Sequence, residues 1–121
     1  MDWKLDDAMP IWIQLAEQIT QRIVSGTYPM GEKLPSVREL ATEAGGNPNT
    51  MQRALAKLDS DGLTEANRTS GRIVTDRAAT IDAVRTQMAA QLVRQYFAGM
   101  AQLGFSNAKA KEMIEWEEGT L

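Results

Sequence analysis

Five residues in the middle of the chain, Asn47, Asn49, Thr50, Gln52 and Arg53, are of the types that read nucleic-acid base edges. Asn and Gln pair bidentately with adenine, Thr meets the thymine methyl, and Arg grips guanine or a phosphate. Other chemistries are poorly supplied. The chain has no cysteine and no histidine, so disulfides, thiolate metal sites, imidazole ligands and the commonest general base are all excluded. Its carboxylates are scattered along the surface pattern, and no glycine-rich phosphate loop occurs. Recognition is therefore expected rather than catalysis, with no enzymatic activity and no cofactor or metal.

The charge balance is mixed. A formal net charge of −3 lacks the overall basicity that usually accompanies nucleic-acid binding, and it keeps a second reading open: a docking module for another protein. The local field differs. Between Lys33 and Lys57 stand Lys33, Arg38, Arg53 and Lys57 against only Glu39 and Glu43, while the acidic excess lies at Asp2, Asp6 and Asp7 and at Glu112, Glu115, Glu117 and Glu118. Strong salt dependence of DNA binding would separate the two readings, because counterion release requires phosphate contacts.

Two helices must position the candidate readers. Ser36 is placed as an N-cap with Glu39 at N3, a capping box, and Val37, Leu40, Ala41 and Ala44 follow at helical spacing. Asn47 is the next N-cap, with Pro48 at N1, and Gly62 closes the second helix. The join through Gly45 and Gly46 is short, which is the helix-turn-helix pattern. Ala54, Leu55 and Leu58 are expected in the core, with Lys57 either on a phosphate or solvated. Ser36, at a helix start, suits a phosphate. Asn47 has a competing role as a cap.

Around the hairpin, Ile11, Leu15, Ile19, Ile23 and Val24 form the apolar side of an earlier helix, with Gln14, Glu17, Gln18, Gln21 and Arg22 largely opposite and Gly26 as its terminator. Trp3 is expected to pack back onto this helix, and Trp12 to lie at the edge of its apolar stripe. Glu32 to Leu34 suit a short strand ended by Pro35. Leu63–Ala66 and Arg72–Thr75 suit a β-hairpin, a wing, whose turn carries Arg68, Thr69, Ser70 and Gly71. Arg68, Gly71 and Arg72 are the wing's candidate contacts to the minor groove or backbone.

Beyond Asp76 the composition shifts towards Ala, Gln and Met. Ile81, Val84, Met88, Leu92, Tyr96 and Met100 recur at three- and four-residue intervals, and after Gly104 a second helix capped by Ser106 carries Met113 and Ile114. A lone pair of helices cannot bury its apolar face by itself, so these eight positions are expected to form a dimer interface with a second copy, with folding back onto their own winged domain as the plainer alternative. The division is residues 1–76 for nucleic-acid binding and 77–121 for dimerisation. The fold class is mainly α with a small β-hairpin: a winged helix-turn-helix followed by a two-helix region. No apolar run approaches the ~18 residues that span a bilayer, and the start MDWKLDDAMP lacks a signal-peptide shape. A cytoplasmic location is expected.

The segments PIWIQLAEQITQRIVSG, YPMGEKLPSVRELA and GGNPNTMQRALAKLDSDGL, within residues 9–76, resemble the GntR family of bacterial transcription regulators. The NPNT-x-x-RA form of the second helix, with the short tail, is similar to its YtrA subfamily. The resemblance implies a winged helix-turn-helix that binds double-stranded operator DNA, a small helical tail for dimerisation, and a DNA-contacting arginine at Arg38. A homodimeric repressor reading a pseudo-palindromic operator follows as the expected function. A small-molecule effector is compatible with the family, but no residue pattern marks its pocket; an apolar ligand near Met88, Tyr96, Met100 or Trp116 competes with simple core packing there. Two departures stand out: Gly46 replaces the family's usual apolar residue after Gly45, which implies a looser turn, and only Gly71 remains of the family's Gly-x-Gly-Thr wing sequence.

Overall fold

The computed structural model describes residues 3–69 and 71–120; Asp2 and Ser70, both named above, lie outside the described residues. The elements are α1 (Ile11–Val24), α2 (Val37–Ala44), α3 (Pro48–Ser60), β1 (Thr64–Asn67), β2 (Gly71–Val74), α4 (Ala78–Gln102) and α5 (Asn107–Thr120). They fall into two units, Met1–Arg85 and Thr86–Leu121.

The first unit is built on α1. Leu15, Ile19 and Ile23 point from it into a core completed by Leu40 and Ala41 of α2, Met51, Ala54, Leu55 and Leu58 of α3, Leu34, Leu63 and Val74 around the wing, and Ile81 of α4. Met51, not among the expected core positions, is fully buried with its neighbours. Gln14 corrects the sequence expectation: it is only 5% exposed. Its carboxamide accepts the Asp6 N–H at 2.9 Å and donates to the carbonyls of Asp6 (2.8 Å) and Met9 (2.7 Å), so its burial is compatible with a satisfied polar group. Gln18 pairs with the Lys4 backbone in the same way, at 3.0 and 2.8 Å. The two glutamines tie residues 4–9 along α1. Trp3 does pack back, with the Arg22 guanidinium carbon 3.9 Å from its ring centre.

Both expected caps of the hairpin form. Ser36 Oγ accepts the Glu39 N–H (3.1 Å) while Glu39 Oε1 accepts the Ser36 N–H (3.4 Å), and Asn47 Oδ1 accepts the Asn49 N–H (2.7 Å) ahead of Pro48. The turn is closed by backbone hydrogen bonds. Gly45 takes φ 71°, a conformation open to glycine without a Cβ clash. This lets Gly45 N–H reach the Thr42 carbonyl (3.2 Å) and Gly46 N–H the Ala41 carbonyl (2.9 Å), the two bonds of a Schellman closure. What the turn lacks is the apolar contact that often accompanies it. Gly46 itself has no positive φ, and a Cβ there would meet nothing within 4 Å. Gly46→Ala is therefore expected to stabilise the protein by about 0.4–1 kcal/mol through the unfolded chain, seen as a higher urea midpoint with an unchanged m value.

The same pair of bonds closes α3, from Gly62 to Asp59 (3.1 Å) and from Leu63 to Leu58 (3.0 Å), here with both leucines fully buried. Because Leu63 completes the helix closure, β1 starts one residue later than its expected start. It pairs antiparallel with β2 in the register Thr64 with Val74 through Asn67 with Gly71. The strand expected at Glu32–Leu34 is reduced to one bridge, Lys33 to Ile73, with Val74 N–H on the Glu32 carbonyl and Leu34 N–H on the Arg72 carbonyl, both 2.9 Å. Pro35 has no N–H to continue the ladder. At the far end of the unit, Arg85 Nε and Nη2 donate to the Val24 carbonyl at 3.0 and 2.8 Å, satisfying an orphan acceptor at the C-terminus of α1.

Candidate nucleic-acid interface

The apolar positions of α3 determine which of its residues face outward. Met51, Ala54, Leu55 and Leu58 are buried, and at 3.6 residues per turn the opposite stripe holds Asn49, Gln52, Arg53 and Ala56. All four are exposed, with Thr50 half-buried at the edge. The short polar and basic readers are thus presented together on the N-terminal half of a helix that follows a turn closed by two backbone hydrogen bonds. Asn47 lies just before them, exposed, with its Oδ1 committed to the cap.

Arg38 is exposed in the first turn of α2, between the capping-box residues Ser36 and Glu39. Ser36 is exposed too, but its hydroxyl already accepts the Glu39 N–H, so its most available donors to an anion are its own O–H and the helix-start backbone. Arg53 differs from a free surface arginine: its guanidinium carbon stands 4.3 Å from the centre of the Trp12 ring on α1.

In the wing, Arg68 is exposed at the turn, and the Asn67 side chain accepts the Thr69 N–H and hydroxyl, both at 3.0 Å. Gly71, paired with Asn67 beside the wing turn, has φ 80°, so any larger residue there would be strained by its backbone; a Cβ would meet the Lys33 side chain only at an ordinary contact of 3.6 Å. Arg72 is turned inward. Its Nε and Nη2 grip the two Asp59 carboxylate oxygens at 3.0 and 2.9 Å, and its side chain is only 14% exposed. Thr64 donates its hydroxyl to the same carboxylate. Asp59 thereby ties the wing to α3, a tie with no simple spacing signal because the partners lie 13 residues apart.

These ties sort the basic residues. Lys57 pairs with Asp61 at 2.8 Å and Arg72 with Asp59, whereas among the described residues Arg38, Arg53 and Arg68 form no ion pair with a carboxylate. Arg38 on α2, Arg53 on α3 and Arg68 in the wing turn thus keep their charge, Arg53 on the same helix as the amide readers.

The eight candidate dimerisation residues divide between the units. Ile81 is 3% exposed and belongs with Val84 to the first unit. Met88, Tyr96, Met100 and Met113 are half-buried in the second, while Leu92 and Ile114 are exposed. Within that unit Tyr96 donates its hydroxyl to the Ala110 carbonyl at 2.6 Å, and Ser106 caps α5 through the Lys109 N–H at 3.1 Å. Ala110 is its one fully buried hydrophobic residue among those described. Leu92 (67%), Leu103 and Trp116 (62%) remain strongly exposed, and Phe105, Met113 and Trp116 line an open groove of about 330 Å³ with Lys109 and Glu112. Large apolar side chains left this exposed are the positions available for burial against a partner.

Comparison with known proteins agrees with this geometry. The model of the bacterial regulatory proteins of the gntR family matches residues 13–74. The HTH-type transcriptional regulator YhcF of Bacillus subtilis is 32% identical over 95% of this chain and 93% of its own. The HTH-type transcriptional repressor YtrA of the same organism is 32% identical over 75% of each chain. Among solved structures, a GntR family transcriptional regulator from Listeria monocytogenes superposes with a TM-score of 0.83 at 36% identity, covering 95% of this chain and 98% of that one. The DNA-binding domain of AraR, solved in complex with operator ORX1, superposes with a TM-score of 0.53 at 28% identity, covering 62% of this chain and 92% of that one.

Proposed function

The chain belongs to the GntR family of bacterial regulatory proteins, and from that premise we propose that it is a homodimeric repressor reading a pseudo-palindromic operator. It is a DNA-binding transcriptional regulator with YtrA among its relatives. The observation that carries the finer reading is the exposed stripe of Asn49, Gln52 and Arg53 on a helix whose other face is core. In this fold the N-terminal half of the second helix enters the major groove while the first helix crosses the backbone. Asn49 and Gln52 are then the base readers, and Arg38 and Arg68 the phosphate or groove-edge contacts. Thr50 offers its methyl from the edge of the stripe, and Asn47 the remaining edge of its amide. Gly71 shapes the wing, and Arg72 holds it to α3 through Asp59.

Winged units alone present one such helix each. The exposed apolar residues of α4 and α5 support pairing with a second copy, which presents the reading helix twice at fixed spacing. Nucleic-acid reading is accordingly the task of the winged part, residues 1–76 in the sequence division, and dimerisation that of 77–121. A repressor role is the simplest outcome of operator occupancy, and the family is one of transcriptional regulators rather than enzymes. No helix among the described residues is long and apolar enough to cross a membrane, and a cytoplasmic location goes with a DNA partner. No small-molecule effector is needed in this reading.

Two substitutions test the division of labour on a chosen operator. Gln52→Ala is expected to cost about 1–3 kcal/mol at one base pair and to relax specificity there, while Arg38→Ala weakens binding uniformly and lowers the salt slope by about one. Binding titrations against single-base operator variants at several salt concentrations measure both. An equal loss against every variant for Gln52→Ala would show that Gln52 touches only phosphate.

A further inference from the structure

Trp12 is the second residue of α1 and Arg53 the sixth of α3. Their 4.3 Å separation is well inside the ~6 Å reach of a cation–π contact. The arrangement at Trp3 is a useful contrast. Arg22, which covers that ring, is half-buried and also donates to the Tyr28 hydroxyl, so its guanidinium is used within the fold. Arg53 is exposed, stands in the stripe with Asn49 and Gln52, and pairs with no carboxylate among the described residues.

The Arg53 guanidinium carbon lies over the Trp12 ring, a contact that restricts the rotamers of the side chain. Among the described residues no hydrogen bond within the fold takes up its N–H donors, so the fork that would grip a base stays available. An unrestrained arginine must lose that freedom on binding; this one has lost part of it beforehand. The fork matches the O6 and N7 acceptors of guanine, and the neighbouring readers on the stripe face base edges rather than phosphate.

We infer that Trp12 is a positioning residue that aims Arg53 at a guanine in the major groove, so that a residue on α1, outside the helix-turn-helix itself, helps determine sequence specificity. This rests on α3 being the groove-entering helix. Trp12 needs no contact with DNA to have this effect.

The test uses the full chain and an operator that the wild-type protein selects from random DNA. Affinities are measured for that operator and for versions with each G·C pair replaced. Trp12→Leu, checked for wild-type circular dichroism and unfolding midpoint, is expected to lose about five- to tenfold of the discrimination at one G·C pair, whereas Trp12→Phe, which keeps a ring, retains most of it. Arg53→Lys, which keeps the charge but not the fork, is expected to lose discrimination at that same pair with the salt slope unchanged. The Trp12→Leu/Arg53→Ala double variant should bind no worse than Arg53→Ala alone. The proposal is overturned if Trp12→Leu discriminates as the wild type does, if the two single losses multiply in the double variant, or if Arg53→Lys retains full discrimination at every pair, the last holding even if Trp12→Leu does not fold. Failure of the wild-type protein to select any operator would instead overturn the reading of α3 itself. Selection with an unaffected Trp12→Leu would overturn only the positioning role.

Discussion

Cutting the chain after Arg85 is expected to leave a folded monomer that binds its operator roughly 10²–10⁴-fold more weakly than the full chain, the avidity that a tethered second reader supplies. The first unit keeps its whole core in this fragment, from Leu15 and Ile19 through Leu58 and Val74 to Ile81. The cut belongs after Arg85 and not after Asp76, where the composition shifts, because a cut at 76 would remove Ile81 from that core and the Arg85 guanidinium from the Val24 carbonyl. What is lost is the second unit, with Leu92, Val93, Leu103 and Trp116 exposed and Ala110 the one fully buried hydrophobic residue among those described. Sedimentation of both chains, with operator titrations in parallel, provides the measurement. A fragment that still sediments as a dimer, or that binds within a few-fold of the full chain, would remove the tail from the dimerisation role.

Leu58→Ala is expected to cost about 2–5 kcal/mol of stability. Leu58 is fully buried, sits on the last turn of α3, and its carbonyl takes the Leu63 N–H that closes the helix. Truncating its side chain empties a space that Leu55, Leu63 and the rest of the core fill only in part, and a domain of this size has about 5–15 kcal/mol in total. A helix of 13 residues is marginal in water without its packed face, so the reading stripe depends on this core. Urea unfolding measures the loss. Operator affinity of the variant at low temperature, where it stays folded, should remain near wild type, since Leu58 points away from Asn49, Gln52 and Arg53. A loss below about 1 kcal/mol would mean that the core relaxes around the gap.

The hairpin was legible in the chain because capping and turn chemistry are local. Ser36 with Glu39, Asn47 with Pro48, and Gly62 each act within a few residues, and all three form as the spacing implies. The wing was legible to within one residue for the same reason. Gln14 was misplaced because periodicity sorts residues by polarity, whereas its burial depends on backbone groups of Asp6 and Met9 that fold back along α1. The closure of the Gly45–Gly46 turn is not written in side chains at all: it is made by backbone bonds that glycine permits. The ties of Arg72 to Asp59, of Arg53 to Trp12 and of Arg85 to Val24 bring together residues with no sequence periodicity between them. The first two bear directly on the interface, since Asp59 takes up the charge of Arg72 and Trp12 stands against the guanidinium of Arg53.

The most direct measurement is selection of bound DNA from a random pool by the full chain at physiological salt. A homodimer presenting α3 twice predicts an enriched two-fold symmetric motif, with half-sites a whole number of helical turns apart and an affinity that falls steeply as salt rises. Enrichment of no motif beyond non-specific binding, or of a single half-site without symmetry, would contradict it.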